Sequence, residues 1–257
     1  ESVILNSLMS SKSGYAANAR YEQSLIYIED DKYQQAITTL QPLTDDKGDR
    51  RLAAKAWMKL GFAYQQMNND DKAIEAYKHI VAEYAGSEER NGALDALKSL
   101  YIEHNQPDMY SALLKENNIT GVDDNSLDSA YYSAAETQFA AGKWANARQA
   151  FNQYLEKYPN GTFVNKAHFY KAESDMQMGE TKEALAEYKT VLNSSWSDFT
   201  ERSAAKAANI AYQQKNYEEA LSYYGILRSS ALAKQNLQEA YAGLMRSSYE
   251  LKKYSDA

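Results

Sequence analysis

The sequence predicts an all-α solenoid of stacked antiparallel helix pairs, and three observations predict it. Seven alanines, Ala36, Ala73, Ala112, Ala147, Ala184, Ala220 and Ala257, recur at separations of 37, 39, 35, 37, 36 and 37 residues by subtraction. Self-similarity at about 20–50 residues marks a stacked-repeat architecture. Around these alanines the same apolar pattern returns. An aromatic sits three residues before (Tyr33, Trp144, Tyr217, Tyr254), and a large apolar residue four after (Leu40, Tyr77, Phe151, Tyr188, Tyr224), the spacing of an amphipathic helix. Finally, only 3 Pro and 11 Gly occur in 257 residues, so helices are permitted nearly throughout.

The units follow in order at about 15–46, 51–86, 88–119, 127–160, 163–197, 200–232 and 235–257, the last truncated, with 1–12 read as the end of a preceding repeat. Each carries an A helix, a short turn and a B helix. Small residues are required where the two backbones approach: Ser24, Gly61, Ala135, Ala172 and Ala208 on the A helices, the framing alanines on the B helices. In the seventh unit Met245 falls where a small residue is expected. Turn signals mark the joints at Asp45-Asp46-Lys47-Gly48, Ala85-Gly86-Ser87, Asn160-Gly161-Thr162 and Asn193-Ser194-Ser195. The third unit is irregular, with Gly92 in its A helix and a polar turn His104–Asp108. Its B helix ends near Asn117, before a loop expected from Asn117 to Asp128. If the array bends, it bends here.

Residues 1–257 are read as one array of about thirteen helices. Val3–Met9 resembles Val191–Trp196, and the seventh unit stops on its framing alanine. The expectation is a segment of a longer array, whose uncapped ends allow self-association. Tyr outnumbers Phe by 22 to 6. A tyrosine packs its ring between helices while its hydroxyl reaches water, which suits a thin two-layer structure.

Composition excludes several chemistries. With no Cys there is no thiol nucleophile, disulfide or thiolate metal site. His79, His104 and His168 lie in three different repeats, outside any metal-ligand or phosphate-loop motif. The net charge of -7 opposes nucleic-acid binding, which requires a basic stripe. No run of about 18 apolar residues is present to span a membrane. Glu136 and Glu173 occupy equivalent positions on adjacent A helices, and packed helices about 8–10 Å apart bring such carboxylates within the span of a glycosidase pair. Repeats place like residues in register by default, however, and an open groove supplies no burial to raise a carboxyl pKa. The expectation is a protein without catalytic residues, cofactor or metal.

The segment Trp57, Leu60, Gly61, Tyr64, Ala73, Tyr77, with Ala147, Phe151 and Pro159 in the fourth unit, resembles the tetratricopeptide repeat. That resemblance implies a right-handed superhelix whose concave face, lined by A helices, docks a partner segment. Carried onto this chain residue by residue, the groove positions are Tyr21, Met58 and Phe62; Tyr132, Glu136 and Phe139; Phe169, Glu173 and Met176; Asn209 and Tyr212; Arg246 and Tyr249. The residues are mostly aromatic, Met or acidic, which disfavours a free C-terminal carboxylate as ligand. Lys157-Tyr158-Pro159-Asn160-Gly161, followed by Ala167, Tyr170 and Ala172, resembles the repeats of bacterial cell-envelope proteins such as the outer-membrane assembly lipoprotein and the Tol-Pal accessory protein. This implies a periplasmic, non-catalytic scaffold binding a protein or peptide. The alternative is a carbohydrate- or peptidoglycan-binding module of the envelope.

Overall fold

A computed structural model of the chain describes residues 15–45, 49–120 and 124–253. The expectations for residues 1–12, Asp46 to Gly48, Gly121, Tyr254 and Ala257 lie outside them. Thirteen α-helices and no strand are present among the described residues. The chain divides into two compact units between Gly121 and Val122.

The first unit holds α1 (Ala16–Glu29), α2 (Tyr33–Leu40) with a 3-10 turn at Gln41–Leu43, α3 (Arg50–Gln66), α4 (Asp70–Glu83), α5 (Glu89–Glu103) and α6 (Pro107–Glu116). The second holds α7 (Asp124–Ala140), α8 (Trp144–Lys157), α9 (Val164–Gln177), α10 (Thr181–Asn193), α11 (Thr200–Gln213), α12 (Tyr217–Ser230) and α13 (Lys234–Glu250). Within each unit consecutive helices pack as hairpins, and each hairpin packs on the next.

A repeated turn closes every hairpin. One residue adopts left-handed backbone geometry: Asp31, Asn68, Asn105, Gly142, Gly179, Lys215 and Lys252, with φ between 55° and 79°. By subtraction these lie 37, 37, 37, 37, 36 and 37 residues apart. The N–H of the following residue donates to the carbonyl five positions back, as in Asn69 to Tyr64 and Asn216 to Ala211, both 2.9 Å. This bond satisfies a carbonyl that the ending A helix leaves unpaired. Asn69 and Asn216 then accept from backbone N–H groups of the B helices they precede, Lys72 and Glu219.

Five residues after each left-handed position stands a fully buried framing alanine: Ala36, Ala73, Ala147, Ala184 and Ala220. In the third hairpin the same count lands on Tyr110, which is buried, and not on Ala112, which is half-buried. The framing residue of that repeat is therefore Tyr110. The uneven alanine spacings of 39 and 35 were a two-residue misregistration within a regular array. A bulky ring at the point of closest approach also accounts for the less extensive packing of α5 on α6. The expected loop Asn117–Asp128 is shorter than predicted, because α7 already begins at Asp124 and buries Asp128.

Close approach is most evident at Gly61. A Cβ built there would lie 2.4 Å from Cε1 of Tyr77, the aromatic four residues beyond Ala73. In α13 the tight contact runs to the preceding α12, through Gly243, where a Cβ would lie 2.4 Å from the Tyr224 ring. Met245, at the expected small position, is exposed.

The joints between hairpins of the second unit share a device. Residues 19 positions before the framing alanines of α8, α10 and α12 are Asp128, Asn165 and Glu201. Each reaches the loop that enters the next A helix. Asp128 accepts from Thr162 N at 2.9 Å, Asn165 from Ser194 Oγ at 2.7 Å, and Glu201 from Ala233 N at 3.2 Å and Asn236 Nδ2 at 2.8 Å. One polar side chain per repeat thus fixes the angle at which the next repeat enters.

Candidate interaction surface

The A helices of the second unit, α7, α9, α11 and α13, carry most of the positions assigned from sequence to a groove. Two of them are corrected by the structure. Tyr132 and Phe169 are buried, at 2% and 0% exposure, and contact no outside molecule. The cause is an aromatic roof supplied by the next repeat's entry loop. Tyr132 stacks on Phe163 with ring centroids 4.7 Å apart, and Phe169 packs on Phe199 at 5.1 Å. Arg202 covers the Phe169 ring at 4.2 Å. Phe139 is half-buried, packed edge-on to Trp144 at 5.2 Å and Tyr170 at 4.9 Å. Met176 is half-buried against the core of the later repeats.

The polar positions are largely occupied internally. Glu136 accepts from Tyr132 Oη at 3.1 Å and pairs with Lys166 Nζ at 2.8 Å. Glu173 accepts from Tyr188 Oη and pairs with Lys206 at 3.2 Å. Asn209 accepts from Tyr224 Oη at 2.9 Å. Burial, reinforced by the carboxylate partners, holds the phenols of Tyr132 and Tyr188 well above the usual tyrosine range. Each glutamate therefore has a phenol and a lysine as partners.

The remaining positions converge. Tyr212 on α11 and Arg246 and Tyr249 on α13, together with Met245 and Glu250, line an open cavity of about 380 Å³. Tyr249 is 65% exposed and Met245 55%. Arg246 stands over the Tyr212 ring at 5.6 Å and pairs with Glu239 at 2.7 Å. The result is an aromatic and thioether floor with a charged rim. In the first unit Tyr21 and Met58 are half-buried, while Phe62 is exposed at its edge and meets Tyr33 at 6.5 Å.

Three features escaped sequence reasoning. Asp175 on α9 is buried, with Oδ1 3.4 Å from Arg148 and Oδ2 without a partner. Burial raises its carboxyl pKa to about 6 against the opposing pull of Arg148. Lys166 and Lys206, which partner the two glutamates, lie 30 and 33 residues after them. That recurrence across one repeat was the available signal. Trp196 is 64% exposed on the loop before α11. Among the described residues no group of three or more His, Asp or Glu is placed to hold a metal, and no helix is long and apolar enough to cross a membrane.

Comparison with known proteins agrees with this geometry. The model of the tetratricopeptide repeat family matches residues 55–87 and 129–161, one stretch in each unit. No curated protein sequence matches the chain. Similar solved structures include PilF of Pseudomonas aeruginosa, at 18% identity over 88% of this chain and 96% of that one, with a TM-score of 0.40. A tetratricopeptide repeat protein of Parabacteroides merdae is 16% identical over 95% and 91%, with a TM-score of 0.42. The type IV pilus biogenesis factor PilW is 18% identical over 89% and 100%, with a TM-score of 0.38. Two stretches of the chain thus match the tetratricopeptide repeat directly, and the same left-handed turn ends every described A helix.

Proposed function

We propose that the protein is a non-catalytic interaction scaffold that docks a protein or peptide segment on the A-helix face of its second unit. The observation that carries this reading is the cavity lined by Tyr212, Met245, Arg246 and Tyr249. Large aromatic and Met side chains left open to solvent in a concavity are the usual anchors of an interface, and a few such residues supply most of its energy. Tyr212, Arg246 and Tyr249 come from two different A helices, so the site exists only because the repeats stack.

The internal lysines define the partner's chemistry. Lys166 and Lys206 already satisfy Glu136 and Glu173, so these acids need no basic partner. Affinity rests on an apolar or aromatic side chain entering the cavity, and Arg246 and Glu250 at the rim set orientation and encounter rate. A location in the bacterial cell envelope is part of the proposal and rests on the sequence resemblance of Lys157–Gly161 alone.

The test compares proteins captured by the wild type with those captured by Tyr212→Ala/Tyr249→Ala, with Phe62→Ala as a control in the other unit. At least one partner is expected to be lost from the double variant and retained by the control. If the folded double variant keeps every partner at wild-type level, the cavity is not the docking site.

A further inference from the structure

A second open cavity of the second unit lies outside the A-helix face. It has a volume of about 680 Å³ and is formed by two successive joints of the second unit, Pro159–Lys166 and Ser194–Phe199, within the size range of small-molecule sites. Trp196 lies in this cleft, more than half exposed. The indole packs against no other aromatic ring among the described residues.

The loop carrying it is held in place. Ser194 Oγ donates to Asn165 Oδ1 at 2.7 Å, Ser197 N to Thr200 Oγ1 at 2.9 Å, and Phe199 N to Ser197 Oγ at 3.3 Å. The facing joint is equally fixed, by Asp128 on Thr162 N and by Tyr154 Oη accepting from Phe163 N at 2.9 Å. Gly161 is needed there, because a Cβ would lie 2.5 Å from Tyr154 Oη. An exposed indole on an anchored loop loses little conformational freedom on binding.

The rim carries short neutral polar side chains together with Asp198 and with Lys166, which is already paired with Glu136. Asn160, Thr162 and Ser195 line the cleft, and their side chains make no hydrogen bond among the described residues. A protein-docking patch calls for contiguous apolar surface. The other exposed large apolar side chains of this unit, Leu232, Tyr241, Met245 and Tyr249, all lie beyond residue 230. An exposed indole beside the apolar Pro159, Phe163, Val164 and Phe199, with mostly neutral donors and acceptors around it, has the chemistry of a sugar site. The C–H face of a pyranose stacks on the indole while its hydroxyl or acetamido groups bond the rim.

We propose that the Trp196 cleft is a binding site for a neutral oligosaccharide, separate from the protein-docking cavity. The Tyr and Phe platforms that sequence reasoning offered to a glycan are mostly packed inside the repeats. Trp196 is an exposed ring seated in a cleft of polar joints, and it takes that role.

The test is titration of the folded chain with N-acetylglucosamine tetrasaccharide and, separately, with cellotetraose, followed by isothermal calorimetry and tryptophan fluorescence. Saturable binding of at least one probe is expected, unchanged by salt because no ion pair forms. Trp196→Ala is expected to weaken it about tenfold or more, and Asn160→Ala/Ser195→Ala to weaken it with the indole intact. Circular dichroism melting of both variants should match the wild type. Tyr212→Ala/Tyr249→Ala is expected to bind the sugar normally, which separates this site from the docking cavity. Absence of saturable binding at millimolar concentrations of both probes overturns the proposal. So does wild-type binding by Trp196→Ala, or loss of a captured protein partner from Trp196→Ala with no effect on sugar.

Discussion

Replacing Gly61 with alanine places a methyl group 2.4 Å from Cε1 and 2.7 Å from Cζ of Tyr77. The ring has no room to swing away: Tyr77 is buried, and its hydroxyl is directed to Gln65 Oε1 at 3.4 Å. Burial pushes its phenol up to about 12. Alanine in a helix interior gains about 1 kcal/mol over glycine. Forcing an extra carbon into a packed core costs about 1–3 kcal/mol, and a 2.4 Å approach to a buried ring places Gly61 at the upper end, so overpacking prevails and Gly61→Ala is expected to lose about 2 kcal/mol. Gly225 in α12 supplies the control. No atom lies within 4 Å of a Cβ built there, so Gly225→Ala is expected to gain the full propensity, about 1 kcal/mol. Urea unfolding measures both. A double-mutant cycle adds Tyr77→Leu, which removes the ring and makes room for the methyl. The pair is expected to be less destabilised than the sum of the single changes by more than about 0.5 kcal/mol. A Gly61→Ala protein as stable as wild type, or an additive cycle, would refute the close-approach argument.

Asp175 gives a pH prediction. Its folded pKa of about 6 lies above the ordinary 3.8, so the folded state binds the proton more tightly than the unfolded chain. The associated stabilisation is present below pH 4 and is lost as pH rises to 6. At 1.36 kcal/mol per unit this is about 3 kcal/mol at most. Asp175→Asn is expected to flatten the stability profile between pH 4 and 6 and to raise stability at pH 7.5, with Arg148 still paired to Glu180; an unchanged slope in chemical denaturation would sink the assignment. At the joint, Asp128→Ala leaves Thr162 N unpaired and is expected to cost about 1–3 kcal/mol. Faster amide exchange should be confined to residues 159–164 and the adjoining helix ends, and exchange identical to wild type would show that the joint is held by other contacts.

The fold was legible in sequence because its determinants are local and periodic. Among the described residues the framing alanines other than Ala112, the large apolar residue four positions on and the small A-helix residues are buried where the pattern puts them. The third repeat was misread because alanine served as the marker while the structural constant is the left-handed turn residue. That position is filled by Asp, Asn, Gly or Lys in turn. These residue types share a backbone conformation and no side-chain chemistry, so the most regular ladder in the chain is the least visible as letters. The joint residues Asp128, Asn165 and Glu201 are hidden for a related reason: three different side chains perform one task, accepting a hydrogen bond from the next loop.

The groove was only half legible, and Tyr132 and Phe169 show why. Register on an A helix settles the direction in which a side chain points, but exposure depends on what the next repeat lays over it. Phe163 and Phe199 stand 31 and 30 residues downstream of the rings they cover. In the sixth repeat Ala205 takes the equivalent position, and there is no large ring to cover. Past that point Met245 and Tyr249 are exposed, and Tyr212 is half-buried beside them. An aromatic in groove register is thus an anchor only where the following entry loop lacks an aromatic of its own. Applied to this chain, that pairing rule favours the α11–α13 face over the regular middle repeats as the proposed docking surface.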